Sequence, residues 1–238
     1  MRTFARLLGL ELRLQSRSFL YPATVVSTAI ICGFILMLPA RPLPVRLTAF
    51  FVFMDPATIG LSFVGAMVLM EKSQGTLAAL AVASVTPAAY VAGKMASLTF
   101  VTIASSLVVV YVATDGVIDV ASQLAAVTLC SAVAVLIGLV CVAHARSMNQ
   151  LVVTLLFVTT VLDVALLAHF SVLPGWLVPA VALIPSYAML VSLAAAVDAG
   201  SVSAAARIAA ALCLGLWILI GWRWTIREFE RAIVTERR

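Results

Sequence analysis

The sequence predicts an all-α integral membrane protein with six transmembrane helices. Of its 238 residues, 64% are apolar and 11% are charged, whereas a soluble domain has about 45–50% apolar and about 25% charged residues. A soluble fold of this length has too small an interior to bury so much apolar surface, so hydrocarbon must surround most of the chain. This composition, with a mean hydropathy of +1.18, excludes a soluble enzyme, a disordered chain and a nucleic-acid-binding module.

Six segments are apolar over a length that can span a membrane, which takes about 20 residues at a rise of about 1.5 Å each. Together they predict one transmembrane domain over residues 1–238. In chain order, the predicted spans are Leu20–Leu38, Leu47–Met70, Met95–Ala113, Leu124–Ala143, Leu151–Phe170 and Ala204–Trp222.

Residues 1–18 precede the first span and are too polar to cross the membrane. Their four arginines would share an arc of about 60° on a helix, which suits a helix that lies in the membrane interface with its arginines toward lipid phosphates. A solvated flank of the first span explains the same residues, so both interpretations stand. Glu11 and Gln15 fall among the leucines, where they would meet a protein partner. The arginines are Arg2, Arg6, Arg13 and Arg17.

The stretch Val172–Val197 is apolar but is interrupted by helix-breaking residues. Pro174, Pro179 and Pro185 interrupt helical hydrogen bonding, and each half of the stretch is too short to cross. We therefore predict that residues 171–198 form two short helices that enter the outer face of the membrane and return. A seventh span is the alternative, and it would place the C-terminus outside.

Basic residues indicate on which side of the membrane each segment lies. If the N-terminus faces the cytoplasm and the chain crosses six times, twelve lysines and arginines lie in inner segments. Only Arg41, Arg46 and Arg207 then lie outside. Because an excess of basic residues marks cytoplasmic segments, we predict that both termini, including the tail 223–238, lie in the cytoplasm.

No residue pattern predicts catalysis or a metal site. His144 and His169 flank opposite membrane faces and cannot meet. The nucleotide-binding pattern GxxxxGK[ST] is absent, because Gly93-Lys94 is followed by Met95. We therefore expect no catalytic residue, no metal and no cofactor in this chain. The four cysteines lie within apolar runs and are interpreted as small buried hydrophobes; they are Cys32, Cys130, Cys141 and Cys213.

The inner connection after the second span, residues 71–94, is long for a turn. It opens with polar residues and continues with apolar ones at Leu77 and Leu80, a spacing that predicts a short amphipathic helix. Thr76, or the serine three residues before it, would cap the start of this helix, and Pro87 is compatible with its end. A partly apolar helix that faces the cytoplasm favours docking into a groove on another protein. A surface helix without a partner is the alternative.

At these residues the chain resembles the membrane subunits of type-2 ABC exporters. The shared pattern is Glu-Lys-x-x-Gly-Thr-Leu-x-x-Leu from Glu71, followed by Gly93-Lys94 before the next span. Ser84 stands where the family often has proline. The resemblance extends over most of the chain, because this family also has an interfacial N-terminal helix, six spans and a re-entrant helical pair before the last span.

Two further sequences carry the resemblance. Leu173–Leu177 and Ile184–Ala188 are similar to the family's sequences in the outer re-entrant pair. Asp55-Pro56, upstream of the inner connection, is most similar to permeases for fluoroquinolone-type drug efflux.

The resemblance implies that the inner amphipathic helix is a coupling helix that docks onto a separate ATPase subunit. It implies a bacterial inner-membrane complex of two permeases, as a homodimer or a heterodimer, surrounded by lipid and bound to two ATPase copies that hold ATP and Mg. Closure of the ATPases would push on the coupling helix and switch a cavity between inward and outward access. Coupling is thereby assigned to Glu71, Gly75, Thr76, Leu77, Leu80, Thr86, Pro87 and Lys94.

Three acidic residues receive a role. Glu71 lies where the second span meets the cytoplasm, where its charge would interact with the dipole of the coupling helix or pair with a basic residue such as Arg13. Asp55 and Asp163 lie within spans, where a carboxylate costs about 2.5 kcal/mol or more. In the resembled family these spans line the substrate path, so both are predicted to contribute to it. Capping of the helix broken at Pro56 is the alternative for Asp55, and hydrogen bonding to a neighbouring helix is the alternative for Asp163.

We therefore predict a permease subunit of an ATP-driven exporter that moves an amphipathic drug, lipid or peptide. A haem-exporter-like membrane subunit is one alternative, but the periplasmic Trp and His motif expected there is absent. A non-transport membrane scaffold or assembly factor is another, and it leaves the long inner connection unexplained. An adjacent reading frame that encodes an ATPase with GxxxxGK[ST] would discriminate between these functions.

Overall fold

The computed structural model describes residues 20–39, 41–75 and 86–236, together with Gly9 and Gln15, and it describes side chains as far as Arg231. Over these residues the fold is all-helical, and six helices are long and apolar enough to cross a membrane, which confirms the predicted fold class. These helices are α1 (Leu20–Met37), α2 (Val45–Ser73), α3 (Pro87–Ala113), α4 (Val120–His144), α5 (Met148–His169) and α8 (Ala204–Glu236). Between α5 and α8 lie the short helices α6 (Gly175–Val181) and α7 (Pro185–Val197).

Helix α4 is the centre of the bundle. It packs against α2, α3, α7 and α8. In the most apolar 18-residue stretch of each helix, 67% of the residues are buried in α4, compared with 22% in α1 and 11% in α8. The peripheral helices therefore present most of their apolar surface to lipid or to a partner. All four cysteines are free thiols; Cys130 and Cys141 are buried in this central helix, as predicted, whereas Cys32 and Cys213 are only partly buried.

Helix α2 widens where it crosses α4. The segment Ala57–Phe63 is π-helical and follows Pro56, which has no backbone N–H and disrupts the hydrogen bond to the preceding turn. Within this segment Gly60 meets Gly138 of α4: a Cβ at Gly138 would lie 2.5 Å from the carbonyl oxygen of Gly60. The two glycines therefore let the backbones of α2 and α4 come into contact.

The proline-rich stretch before α8 forms a sharply bent helical pair. Helices α6 and α7 are bent by 103° about residues 182–184. At about 1.5 Å per residue, the thirteen residues of α7 extend about 20 Å, which is short of a membrane core of about 30 Å. Ser186 Oγ donates to the carbonyl oxygen of Leu162 at 2.6 Å, and Trp217 Nε1 donates to that of Leu183 at 3.2 Å. These bonds hold the pair against α5 and α8, in a re-entrant geometry rather than a seventh span.

Both ends of the described chain lie at the same end of the bundle, as six crossings require. Gln15 Nε2 donates to Ser97 Oγ of α3 at 2.7 Å. Glu228, near the end of α8, has its Oε2 atom 3.6 Å from Nε2 of His144 at the end of α4. We call this end, at which α2, α4 and α8 finish and α3 begins, the basic end.

The opposite end is held together by arginines. Arg41 forms an ion pair with Asp115, in the turn after α3. Arg46 Nη1 donates to Ser171 Oγ at 2.6 Å, and the backbone oxygen of Arg46 lies 2.9 Å from Nε2 of His169. The two histidines, His144 and His169, therefore lie at opposite ends of the bundle, as the sequence predicts.

Two helix boundaries differ from the predicted ones by more than four residues. Helix α3 begins at Pro87 rather than Met95, because Thr86 caps it by accepting a hydrogen bond from the backbone N–H of Ala89 and Pro87 occupies its first turn. Pro87 thus lies in the first turn of a spanning helix, and the end of the predicted coupling helix lies outside the described residues. Helix α8 continues through the predicted tail to Glu236, since no glycine or proline follows Gly221 to stop it.

Two predicted elements lie largely outside the described residues. The interfacial helix over residues 1–18 is described only at Gly9 and Gln15, and the coupling-helix residues Thr76, Leu77, Leu80 and Ser84 fall within the undescribed range 76–85. Gln15 is buried, and its Ser97 bond ties it to α3. Gln15 therefore contacts α3 of its own chain, whereas Glu11 lies outside the described residues and contact with a protein partner stays a prediction.

Candidate functional site at the basic end of the bundle

Glu71 lies in the last turn of α2 and is bound by two residues of α3. Lys94 Nζ donates to Glu71 Oε1 at 2.5 Å, and the Tyr90 hydroxyl donates to Glu71 Oε2 at 2.6 Å. Tyr90 and Lys94 are one turn apart, so both reach the carboxylate from the same face of α3. Both carboxylate oxygens therefore connect the end of α2 to the first two turns of α3.

Lys94 is a buried cation. Its side chain is 0% exposed, and that of Glu71 is 12% exposed. Because removing an ammonium group from water costs several kcal/mol, such a group needs a well-placed anion. Glu71 supplies that anion, and the ring of Tyr90, whose centroid is 5.1 Å from Nζ, adds a cation–π contact. Phe229 of α8 packs against Tyr90 at a centroid distance of 5.4 Å. We call Glu71, Tyr90, Lys94 and Phe229 the Glu71 cluster.

Lys72, the residue after Glu71, binds the end of the central helix. Its Nζ atom donates to the backbone oxygens of Val142 at 2.7 Å and of Ala143 at 3.1 Å. These oxygens belong to the last turn of α4, where the helix dipole attracts a cation. Consecutive residues of α2 therefore connect to different helices, Glu71 to α3 and Lys72 to α4.

The inner connection begins after Gly75 and ends at Thr86. Gly75 adopts a positive φ of 70°, and its N–H donates to the backbone oxygen of Lys72 at 3.2 Å, so Gly75 ends α2 in the conformation that glycine favours. Thr86 starts α3 as its cap. Of the eight predicted coupling residues, five are described, and all five lie at this junction: Glu71, Gly75, Thr86, Pro87 and Lys94.

Asp55 lies inside the bundle. It is 2% exposed, and its Oδ2 atom is buried without a hydrogen-bond partner among the described residues. Ser105 of α3 interacts with its carboxyl group, and Cys32 of α1 is close enough for an electrostatic interaction with it. The carboxyl group is thus enclosed by α1, α2 and α3 of one chain, next to Pro56 and the π-helical segment.

Asp163 has the opposite environment. It lies on the exposed surface of α5. Only 22% of the residues in the most apolar stretch of this helix are buried. Its neighbours on that surface include Thr160, Val164 and Leu167, which are exposed as well. The structure therefore does not bring Asp55 and Asp163 together, and within one chain only Asp163 faces outward.

The described residues contain no group of three or more His, Cys, Asp or Glu side chains that could hold a metal ion. The side chains of Glu71, Lys72, Tyr90 and Lys94 are instead bound by one another and by backbone oxygens. Such an arrangement can fix helix ends relative to one another and transmit displacement between them.

Comparison with known proteins identifies the family. The family model of the fluoroquinolones export permease proteins matches residues 2–237, almost the whole chain. The chain belongs to this family. The narrower resemblance carried by Asp55-Pro56 is thereby confirmed. The permease is a multi-pass membrane protein with a transport role, and no curated protein sequence matches it.

Sequence reasoning missed three residues of the permease's basic-end network: Lys72, Tyr90 and Phe229. Tyr90 carried a signal, because a tyrosine and a lysine four residues apart share one helix face, but this signal requires α3 to begin before Met95. Lys72 belongs to the Glu-Lys pattern of the inner connection, but nothing in the sequence indicated its contact with α4, and Phe229 carried no signal, since these contacts join segments that are far apart in the chain.

Proposed function

We propose that the permease is the membrane subunit of an ATP-driven ABC exporter for an amphipathic drug, lipid or peptide. It pairs with a second permease, and residues 76–85 dock onto a separate ATPase subunit, one per permease. Nucleotide-driven movement of the ATPases displaces this segment and switches the transport cavity between inward and outward access.

The Glu71 cluster is the observation that supports this function best. A docked segment can move a transport path only if both of its ends are joined rigidly to spanning helices. The connection leaves α2 at Gly75, one turn after Glu71, and re-enters the bundle at Thr86, two turns before Lys94. The Glu71–Lys94 pair locks these two helices together, so displacement of the connection moves α2 and α3 as a unit.

We further propose that the basic end faces the cytoplasm of a bacterial inner membrane. Six of the nine described lysines and arginines belong to the basic end or to the segments that continue from it, and positive charge marks cytoplasmic segments. This orientation puts residues 76–85 on the side where ATP is available. The six are Lys72, Lys94, Arg146, Arg223, Arg227 and Arg231.

Docking is tested by placing two charges in the connection. We expect Leu77→Asp combined with Leu80→Asp to lower co-purification with the ATPase encoded beside the permease gene by more than about tenfold, because two carboxylates would be buried unpaired in the docking groove. Membrane insertion should be retained. The measurement is tandem-affinity recovery of the ATPase, normalised to the amount of folded permease.

The matched control places two aspartates in the loops of the opposite end. Val117 and Val172 are 79% and 67% exposed there, and their double replacement by aspartate should leave ATPase recovery unchanged. Equal recovery by the Leu77/Leu80 variant and wild type would contradict the docking assignment. If the genes beside the permease gene encode no ATPase, the scaffold alternative would be favoured.

The exposed carboxylate of Asp163 supports pairing with a second permease. Exposing this carboxylate to hydrocarbon would cost about 2.5 kcal/mol or more. A second copy of the chain, with a water-filled cavity between the two copies, would solvate it instead. The enclosure of Asp55 by α1, α2 and α3 disfavours direct contact with a substrate. We therefore assign the substrate path to Asp163 and give Asp55 a supporting role beside the π-helical segment.

This assignment predicts selective transport defects. Asp163→Asn should reduce transport of a cationic drug about tenfold, because a charge-assisted contact of roughly 1.5 kcal/mol is lost. Transport of a neutral analogue should stay unchanged. Asp55→Asn should change both compounds alike. Transport of the matched pair into inverted vesicles measures this. Selective loss of the cation in Asp55→Asn, with none in Asp163→Asn, would reverse the two roles.

A further inference from the structure

An apolar groove of about 400 Å³ lies on the surface of the bundle between α4, α5 and α8. Val161 of α5 and Ile220 of α8 line it and are 44% and 47% exposed, so the groove is open toward the membrane. Leu183 and Pro185, from the bend between α6 and α7, close its far end. From Trp217 to Trp224 it follows two turns of α8, which is about 10 Å.

The groove continues at the basic end into a charged depression of about 500 Å³. Ile220 and Trp224 line both cavities and so join them. The charged depression is lined by three arginines of α8 and by Glu228. Its members are Arg223, Arg227, Glu228 and Arg231.

Two of these arginines have no acidic partner in the part of the chain that the structure describes. Arg231 is paired with Glu228 at 2.8 Å, whereas Arg223 and Arg227 form no ion pair with any described residue. They are both exposed and are one turn apart on the same face of α8, a spacing at which like charges repel. An anion that contacts both would relieve this repulsion.

We propose that the groove and the charged depression bind one anionic phospholipid, with an acyl chain against the apolar wall and the phosphate between Arg223 and Arg227. The described residues that line the charged depression all come from α8, and basic clusters on a helix near the membrane surface attract anionic headgroups. Trp224, at the junction of the two cavities, is the residue type that anchors proteins at the level of lipid headgroups. The order along α8 is therefore that of a phospholipid: an apolar length, an aromatic boundary and a positive end.

A second copy of the chain would fit this surface less well. Its apolar helices would match the groove, but the same contact would bury Arg223 and Arg227 without partners, which is costly for two like charges. A lipid supplies both the apolar chain and the missing anion. This site lies on the side of α5 and α8, and it does not depend on the ATPase docking proposed above.

Lipid titration monitored by native mass spectrometry tests the site on the delipidated full-length chain in detergent. With equal amounts of phosphatidylglycerol and phosphatidylcholine, wild type should retain one phosphatidylglycerol per chain in preference. Arg223→Gln with Arg227→Gln should weaken phosphatidylglycerol binding about 25-fold, or about fivefold per arginine, without changing phosphatidylcholine binding. Arg207→Gln is the matched control, since Arg207 is an exposed arginine at the other end of the same helix.

A second variant tests the acyl-chain part. Val161→Trp fills the groove from an exposed position and should abolish the retained phosphatidylglycerol while the mass of the permease assembly stays the same. Three results would overturn the proposal: equal retention of both lipids by wild type, unchanged phosphatidylglycerol binding in the double arginine variant, or an equal effect of Arg207→Gln. A Val161→Trp variant that loses its partner copy but keeps the lipid would assign the groove to a permease–permease interface instead.

Discussion

Glu71→Gln is expected to lower the thermal unfolding midpoint of the solubilised permease by about 6–20 °C, because it removes a carboxylate charge that pairs with the buried Lys94. Breaking a buried ion pair from one side costs about 3–5 kcal/mol, and in a chain of this size 1 kcal/mol shifts the midpoint by about 2–4 °C. The carboxamide oxygen still accepts a hydrogen bond from Tyr90, so the change isolates the charge. The unfolding curve is measured in one detergent at one protein concentration.

Two further variants make this result specific. Adding Lys94→Met removes the buried cation as well and should recover most of the lost stability, so the two effects are not additive. Glu228→Gln is the matched control at the same end: its partner Arg231 is 74% exposed, and surface pairs contribute about 0–1 kcal/mol. Equal losses in Glu71→Gln and Glu228→Gln, or additive losses in the double variant, would contradict the buried pair. In reconstituted vesicles, Glu71→Gln should hydrolyse ATP with its ATPase but transport less per ATP.

Gly138→Ala is expected to destabilise the fold at the crossing of α2 and α4. Its Cβ atom would lie 2.5 Å from the carbonyl oxygen of Gly60 and 2.9 Å from that of Leu61, and neither backbone atom can move without separating the helices. Overpacking of this kind costs about 1–3 kcal/mol, occasionally more. We expect a lower yield of folded protein and a lower unfolding midpoint, both read from size-exclusion chromatography with a thermal ramp.

The control for this variant is Gly215→Ala in α8. A Cβ at Gly215 meets nothing within 4 Å, and alanine is the better helix former by about 1 kcal/mol. Gly215→Ala should therefore match or exceed wild type in stability. If Gly138→Ala did the same, α2 and α4 would not cross at the distance described.

The number of spans and the re-entrant pair could be predicted because they depend on local properties of the chain. A stretch of about 20 apolar residues must cross the bilayer or be buried, and proline interrupts a helix wherever it stands in its interior. Val172–Val197 combines a long apolar stretch with three prolines, so its bend into α6 and α7 follows from the sequence. The family resemblance likewise rested on short contiguous motifs.

The start of α3 could not be predicted in the same way. Lys94 counts as a loop residue on any hydropathy scale, which placed the predicted boundary at Met95. In the fold it lies two turns inside the helix, because Glu71 neutralises it from a segment 23 residues earlier in the chain. Whether a lysine lies in a loop or in a helix thus depends on its partner.

The sequence by itself determined that this protein is a six-span, all-helical permease with a basic end and a re-entrant pair, because hydropathy, charge and proline act residue by residue along the chain. Only the tertiary structure decided which polar groups meet. Asp55 and Asp163 look alike in sequence, as single carboxylates within apolar runs, yet one is enclosed by three helices and the other faces outward. The reason is physical: hydrocarbon selects each span by its composition, whereas the partners of a buried charge are set by which helices pack together.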